Sequence, residues 1–139
     1  SAASDVYKRQ PLILHLTVWI KKEGRHMKKI EAYIRPEKLE EIKEVIDKLN
    51  LNGLSVMQVM GCGNQKGWTE FVRGVEVDYN FLTKIKIETV VPEEQAEAVV
   101  ACIVDKAYTG EFGDGKIFIS DVQDAIRIRT GERGVDAVK

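Results

Sequence analysis

The chain has 139 residues, 44% of them hydrophobic and 31% charged, with a formal net charge of −1. That length holds one domain with its own core and is too short for two ordinary ones. Basic residues are interleaved with acidic ones and form no stripe with aromatics, so nothing in the composition resembles a surface that binds nucleic acid directly.

Residues 1–26 differ from the rest of the chain: SAASDVYKRQ is small and polar, PLILHLTVWI is apolar and KKEGRH is charged. The apolar stretch falls well short of the roughly 20 residues that span a bilayer. Trp19-Ile20-Lys21-Lys22 is a poor signal-peptide cleavage site. The expectation is a leader, non-native or disordered, ahead of a domain over 27–139 with a start at Met27. An added strand pairing with the sheet edge is the rival reading.

From Met27 the pattern is regular. Ile30, Ala32 and Ile34 alternate with Lys29, Glu31 and Tyr33, the period of a half-buried strand. Pro36 suits the first turn of a helix, and Leu39, Ile42, Val45, Ile46 and Leu49 follow at helical spacing until Asn50–Gly53 ends it. Leu54–Met60 reads as a second strand and Thr83–Val91 as a third. Pro92 then opens a second helix with the stripe Ala96, Val99, Val100, Ile103, Val104 and Ala107. TGEFGDGK turns into a fourth strand, Lys116–Ile119. The order strand, helix, strand, strand, helix, strand is the double split βαβ of an α+β, ferredoxin-like βαββαβ fold. Both helices of that fold cover one face of the sheet. Apolar residues on both sides of the second strand (Val56, Val59, Met60) point to self-association over the other.

Between the second and third strands, residues 61–81 (GCGNQKGWTEFVRGVEVDYNF) show no sustained helical or alternating pattern, which marks a functional loop rather than a connector. Glycines and polar residues sit at its base, and Arg73 and Glu76 at its tip. Cys62 in this loop and Cys102 have neither CxxC spacing nor histidine partners, which speaks against a disulfide scaffold or a zinc site and favours a reducing, cytoplasmic setting. Both histidines, His15 and His26, precede Met27, so the domain has no imidazole base.

Two stretches suit an anion. Gly110, Gly115 and Lys116 have the spacing GxxxxGK, but Ile117 replaces the magnesium-binding hydroxyl of a P-loop and the next residues read as strand, so the P-loop geometry fails. What remains is a glycine turn offering backbone N–H groups, with Lys116 as a point charge. Arg127 and Arg129 lie two apart, so in an extended segment both guanidinium groups point to one side, as a phosphate clamp or as a solvated strand edge.

KGWTEFVRG with its following loop, TGEFGDGKIFI and IRIRTGE, in this strand and helix order, resemble the PII family of nitrogen-regulatory signal-transduction proteins over 27–139. The resemblance implies a homotrimer binding ATP or ADP in clefts between subunits, and 2-oxoglutarate, with Mg2+ and ATP present, at the base of the long loop, the T-loop. It implies a regulator of ammonium transporters or nitrogen-assimilation proteins, cytoplasmic and drawn to a membrane only through a transporter, and not an enzyme. Carried over by residue, the nucleotide site takes Gly53, Ser55, Gly61, Gly63, Asn64, Gln65, Gly113, Asp114, Gly115, Lys116, Arg127 and Arg129. The 2-oxoglutarate site takes Gln65, Lys66, Gly67 and Lys84, with Gln65 reaching the Mg2+. Arg73 matches the loop residue that contacts the partner. Asn64 stands where many members have arginine, which leaves ATP over ADP discrimination open. Val77 occupies the usual uridylylated tyrosine position and Val75 that of a phosphorylated serine, so no covalent modification is expected. The alternatives are a small ATP-hydrolysing or phosphotransfer enzyme using the GDGK turn, which lacks a general base, and a trimeric ferredoxin-like metal-tolerance protein, which lacks its ligand set.

Overall fold

A computed structural model describes residues 26–62, 69–72, 74–78 and 81–139. The expectations for residues 1–25 lie outside the described residues. Strand β1 (Met27–Ile34) alternates buried and half-buried positions as its sequence predicts. A 3-10 turn over Pro36–Lys38 leads into helix α1 (Leu39–Lys48), and Asn50, at φ 55°, ends it in the left-handed conformation that asparagine tolerates. Strand β2 (Ser55–Gly61) precedes a two-stranded ribbon of β3 (Thr69–Val72) and β4 (Val75–Asp78), which returns to β5 (Leu82–Pro92). Helix α2 (Glu93–Ala107), strand β6 (Lys116–Val122) and the short helix α3 (Val135–Val138) complete the order.

Four antiparallel strands in the order β2-β5-β1-β6 form the main sheet, with β1 paired to both β5 and β6. This is the ferredoxin-like arrangement, since the two split βαβ units interleave their strands. The register places Ile30, Ala32 and Ile34 opposite Thr89, Ile87 and Ile85, all on the face that the helices cover. Ile42 and Ile46 of α1 and Val99 and Ile103 of α2 close that core, each at most 2% exposed. Each fully buried aliphatic side chain contributes about 1.5–3 kcal/mol of transfer free energy, so this layer holds the sheet and helices together.

The opposite face is built differently. Lys29 bridges Glu31 at 3.0 Å and also pairs with Glu88, while Lys86 reaches Glu31 at 3.5 Å and lies 5.8 Å from the Tyr33 ring centre. Hydrogen bonds to Glu88 and Glu31 raise the Lys29 ammonium to about 12. Tyr33 meets Phe118 edge-on at 6.0 Å.

Several element ends differ from the sequence reading. Pro92 closes β5 and caps α2 rather than opening the helix, since its fixed φ suits a strand end equally well. Strand β6 runs three residues beyond Ile119, because β1 continues to offer pairing as far as Met27 opposite Val122. Val104, expected in the core stripe, is 52% exposed, because it lies at the margin of the apolar arc centred on the buried Ala96, Val99, Ile103 and Ala107. The segment 61–81 is not patternless: Phe71 pairs with Glu76 and Val72 with Val75 across a turn containing Gly74 at φ 81°.

Replacing Ile103 by alanine is expected to cost about 2–5 kcal/mol in urea unfolding, whereas Val104→Ala should cost under about 1 kcal/mol. Equal losses would contradict the one-sided core.

Candidate functional site

The loop between α2 and β6, residues 108–115, is tied together around a single carboxylate. Asp114 Oδ2 accepts the backbone N–H groups of Thr109 at 2.7 Å and Gly110 at 2.9 Å. Its Oδ1 accepts the Thr109 hydroxyl and, at 3.2 Å, Nε of Arg35. The Thr109 bonds, with smaller help from Gly110 and Arg35, hold the Asp114 carboxyl well below the usual carboxylate range. Two cations fix the loop from outside. Arg35 Nη2 donates to the carbonyl of Phe112 at 2.8 Å, and Lys84 Nζ donates to the carbonyl of Gly113 at 2.7 Å. Burial, and then the charge of Arg35, push the Lys84 ammonium below its usual value. Gly115 sits at φ 105°, and a Cβ there would lie 1.6 Å from the carbonyl oxygen of Tyr33, so the loop can approach β1 only with glycine at this position.

These groups line a cleft of about 630 Å³ that holds Gly61, Lys84, Gly113, Asp114, Gly115 and Lys116, with Phe112 and Cys62 at its walls. A second cleft of about 450 Å³ holds Gly53, Ser55 and Arg127 together with Glu88, Thr89, Ala137 and Val138. Ser55 begins β2 and Gly61 ends it. At ~3.3 Å per residue the two ends lie about 20 Å apart. Apart from Arg129, which lines neither cleft, the described candidate nucleotide residues therefore fall into two groups that one copy of the chain does not bring together. Arg127 and Arg129 do not lie in an extended segment as their spacing implied. Gly131, at φ 72°, donates its N–H to the carbonyl of Arg127 at 2.7 Å, so residues 128–130 turn, while Ile126 pairs with Arg133 beyond them. Gly63, Asn64, Gln65, Lys66, Gly67 and Arg73 lie outside the described residues. Val75 and Val77 belong to β4.

Sequence reasoning missed Arg35 and Thr109. Arg35 reaches Asp114 across 79 positions, and nothing in local spacing announces such a contact. Lys116 opens a strand, not a helix, which rules out a P-loop around it. Among the described residues no group of three or more His, Cys, Asp or Glu could hold a metal ion, and no helix is long and apolar enough to cross a membrane.

The family described as Nitrogen regulatory protein P-II matches residues 27–132. The chain belongs to the P-II family. It is 53% identical over 112 residues to the Nitrogen regulatory protein P-II of Rhizobium meliloti (strain 1021), and 54% identical over the same length to that of Cereibacter sphaeroides, covering 81% of this chain and all of each relative. Among solved structures it is similar to B. subtilis GlnK, with a TM-score of 0.68 and 39% identity over 81% of this chain and 99% of that one. A B. subtilis GlnK-ATP complex superposes with a TM-score of 0.67 at 33% identity, over 81% of this chain and 98% of that one. Membership of P-II makes the chain a nitrogen-regulatory signal transducer rather than an enzyme.

The Asp114 pKa is depressed below the usual 3.8, so its contribution to loop stability is in place above that value and is lost as pH falls through the lower folded value. The Thr109 and Gly110 amide resonances are thus expected to stay constant down to about pH 4 and to shift only below it. A midpoint near the ordinary carboxylate value would contradict this bonding of Asp114. Gly115→Ala is expected to destabilise the fold by more than about 2 kcal/mol in urea titration, because the backbone conformation and the Tyr33 carbonyl both oppose a side chain. Wild-type stability in that variant would contradict the close approach.

Proposed function

We propose that this P-II protein senses ATP or ADP together with 2-oxoglutarate, and passes the result to an ammonium transporter or a nitrogen-assimilation protein through the 61–81 loop. The observation that carries this reading is the division of the nucleotide residues between two clefts. Gly61, Gly113, Asp114, Gly115 and Lys116 line one, and Gly53, Ser55 and Arg127 line the other. A nucleotide that needs both sets must lie between two copies, which agrees with a homotrimer whose binding sites are at the subunit boundaries. The 113–116 turn suits a phosphate group, since it is glycine-rich, rigidly tied through Asp114 and followed by Lys116. The resemblance to a GlnK-ATP complex supports the nucleotide part of the reading.

2-Oxoglutarate carries two carboxylates, and Lys84 and Lys116 are the cations that line that cleft, with Arg35 bracing its loop from behind. Lys84 is the residue expected to meet the far carboxylate, with Gln65, Lys66 and Gly67 completing the site from the loop base. A Mg2+ ion fits this donor set through its chemistry. The one carboxylate of the 113–116 turn, Asp114, is already occupied by Thr109, Gly110 and Arg35. Magnesium keeps few protein ligands and takes phosphate oxygens readily, so Gln65 would reach the ion while the ligands themselves supply most of its oxygens. When bound, the ion would neutralise charge between a triphosphate and the dicarboxylate. That makes 2-oxoglutarate binding conditional on ATP.

Arg73 at the loop tip is the residue proposed for partner contact, where a long side chain with five donors suits a polar channel mouth or groove. Val75 and Val77 carry no group that can be uridylylated or phosphorylated, so on this reading metabolites alone control the loop. The protein acts in the cytoplasm and meets a membrane only through a transporter.

Isothermal titration is expected to show ATP binding, and 2-oxoglutarate binding only when Mg2+ and ATP are present. Lys84→Gln should weaken 2-oxoglutarate roughly 10- to 100-fold, the range for losing a hydrogen bond to a charged group, and should weaken ATP less, because Arg35 still holds the 112–114 turn. 2-Oxoglutarate binding that ignored ATP, or no nucleotide binding at all, would overturn the reading.

A further inference from the structure

Among the described residues, Arg127 is a candidate phosphate ligand whose fork is held by the chain itself. Its Nη2 donates to the carbonyl of Lys139 at 2.7 Å and approaches the carbonyl of Ala137 at 3.5 Å, while Nη1 lies 3.4 Å from a Glu132 carboxylate oxygen. Ala137 and Val138 line the same cleft as Gly53 and Ser55. The segment that supplies those carbonyls is lightly built. α3 has four residues, far below the length at which a helix is stable unaided. It swings from Gly134, whose backbone at φ 67° and ψ −142° is open to glycine and strained for other residues. Gly134 itself is anchored: it is buried, and its N–H donates to the carbonyl of Ala125 at 2.9 Å and to Asp124 Oδ1 at 3.2 Å. Asp124 also holds Arg133 at 3.2 Å. The chain is therefore anchored at residue 134, and the glycine conformation there is the point from which α3 can turn away.

We infer that residues 135–139 form a strap that occupies the Arg127 fork, and that an anionic phosphate ligand must displace it to reach the Gly53–Ser55–Arg127 cleft. The inference rests on the proposed role of Arg127 in nucleotide binding. A phosphate can take the place of the strap because its charged oxygens match the planar fork of the guanidinium, which the strap meets with the main-chain oxygens of Ala137 and Lys139. Two carboxylates stand near the fork: Glu132 faces Nη1 itself, and Glu88, which lines the cleft, is engaged by Lys29 on the neighbouring strand. The strap thus sets a threshold: apparent affinity is the intrinsic affinity multiplied by the fraction of time that the fork is open.

The test compares the full chain with one ended after Gly134, by titration with Mg-ATP and separately with inorganic tripolyphosphate. The strapless chain is expected to bind both probes roughly 3- to 10-fold more tightly, the range for a fork open between about a third and a tenth of the time. Ala137→Pro, which removes the N–H that Ala137 gives to Gly134 and so unseats α3 without shortening the chain, should shift both affinities in the same direction. It also keeps the test available if the shortened chain fails to fold. Equal or weaker ATP binding by both altered chains would overturn the strap and leave the nucleotide reading standing. Tighter binding of ATP with tripolyphosphate unchanged would overturn competition for the phosphate position. No binding of either probe by any of the chains would overturn the nucleotide reading and the strap together.

Discussion

One carboxylate holds the geometry of the first cleft. Asp114 accepts two backbone N–H groups, a hydroxyl and a guanidinium N–H, which nearly exhausts its acceptor capacity. The loop it organises has no regular secondary structure, and the 630 Å³ cleft beside it is shaped by that loop's backbone. Arg35 and Lys84 bind carbonyls of the same loop from β1's end and from β5, so the sheet sets where the turn stands. A rigid turn can present backbone N–H groups to a phosphate without ordering them anew, which lowers the entropic cost of binding.

The sheet then sets what one copy of the chain can and cannot do. Gly53 and Ser55 lie at one end of β2 and Gly61 at the other, so residues of the same candidate site are about 20 Å apart along a stiff strand. On the proposed nucleotide reading, association of copies closes that gap. The open face is suited to association because its charges are already paired with one another. Lys29, Glu31, Lys86 and Glu88 form a ladder in which each charge has a partner, which reduces the penalty for covering them. Exposed Met57 on β2, opposite Lys86 on the same face, adds apolar area for the same purpose.

Much of this was legible in the sequence, for physical reasons. The alternation of Ile30, Ala32 and Ile34 and the helical spacing of Ile42, Ile46, Val99 and Ile103 each report a face, and faces fixed the ferredoxin-like order. The GDGK turn was legible because glycines cluster where backbone must approach a ligand or another strand, as Gly115 approaches Tyr33. What escaped notice is long-range or terminal. Arg35 reads as an ordinary charge before Pro36 until the fold carries it to Asp114. The Arg127 and Arg129 pair read as extended because period-two spacing looks the same whether the chain continues straight or turns at Thr130–Gly131. The β3–β4 ribbon is four residues a side, too short to stand out in a segment rich in glycine and charge.

The central claim is that the functional site is shared between copies, with one cleft from each. Subunit complementation tests it most directly, using Lys116→Ala to disable the first cleft and Arg127→Ala to disable the second. Each variant alone should bind ATP weakly or not at all. When the two are unfolded, mixed in equal amounts and refolded together, about one site in four should regain tight binding, because it takes its Lys116 from one copy and its Arg127 from another. A mixed assembly as silent as either parent, with co-assembly confirmed by mass, would contradict the account.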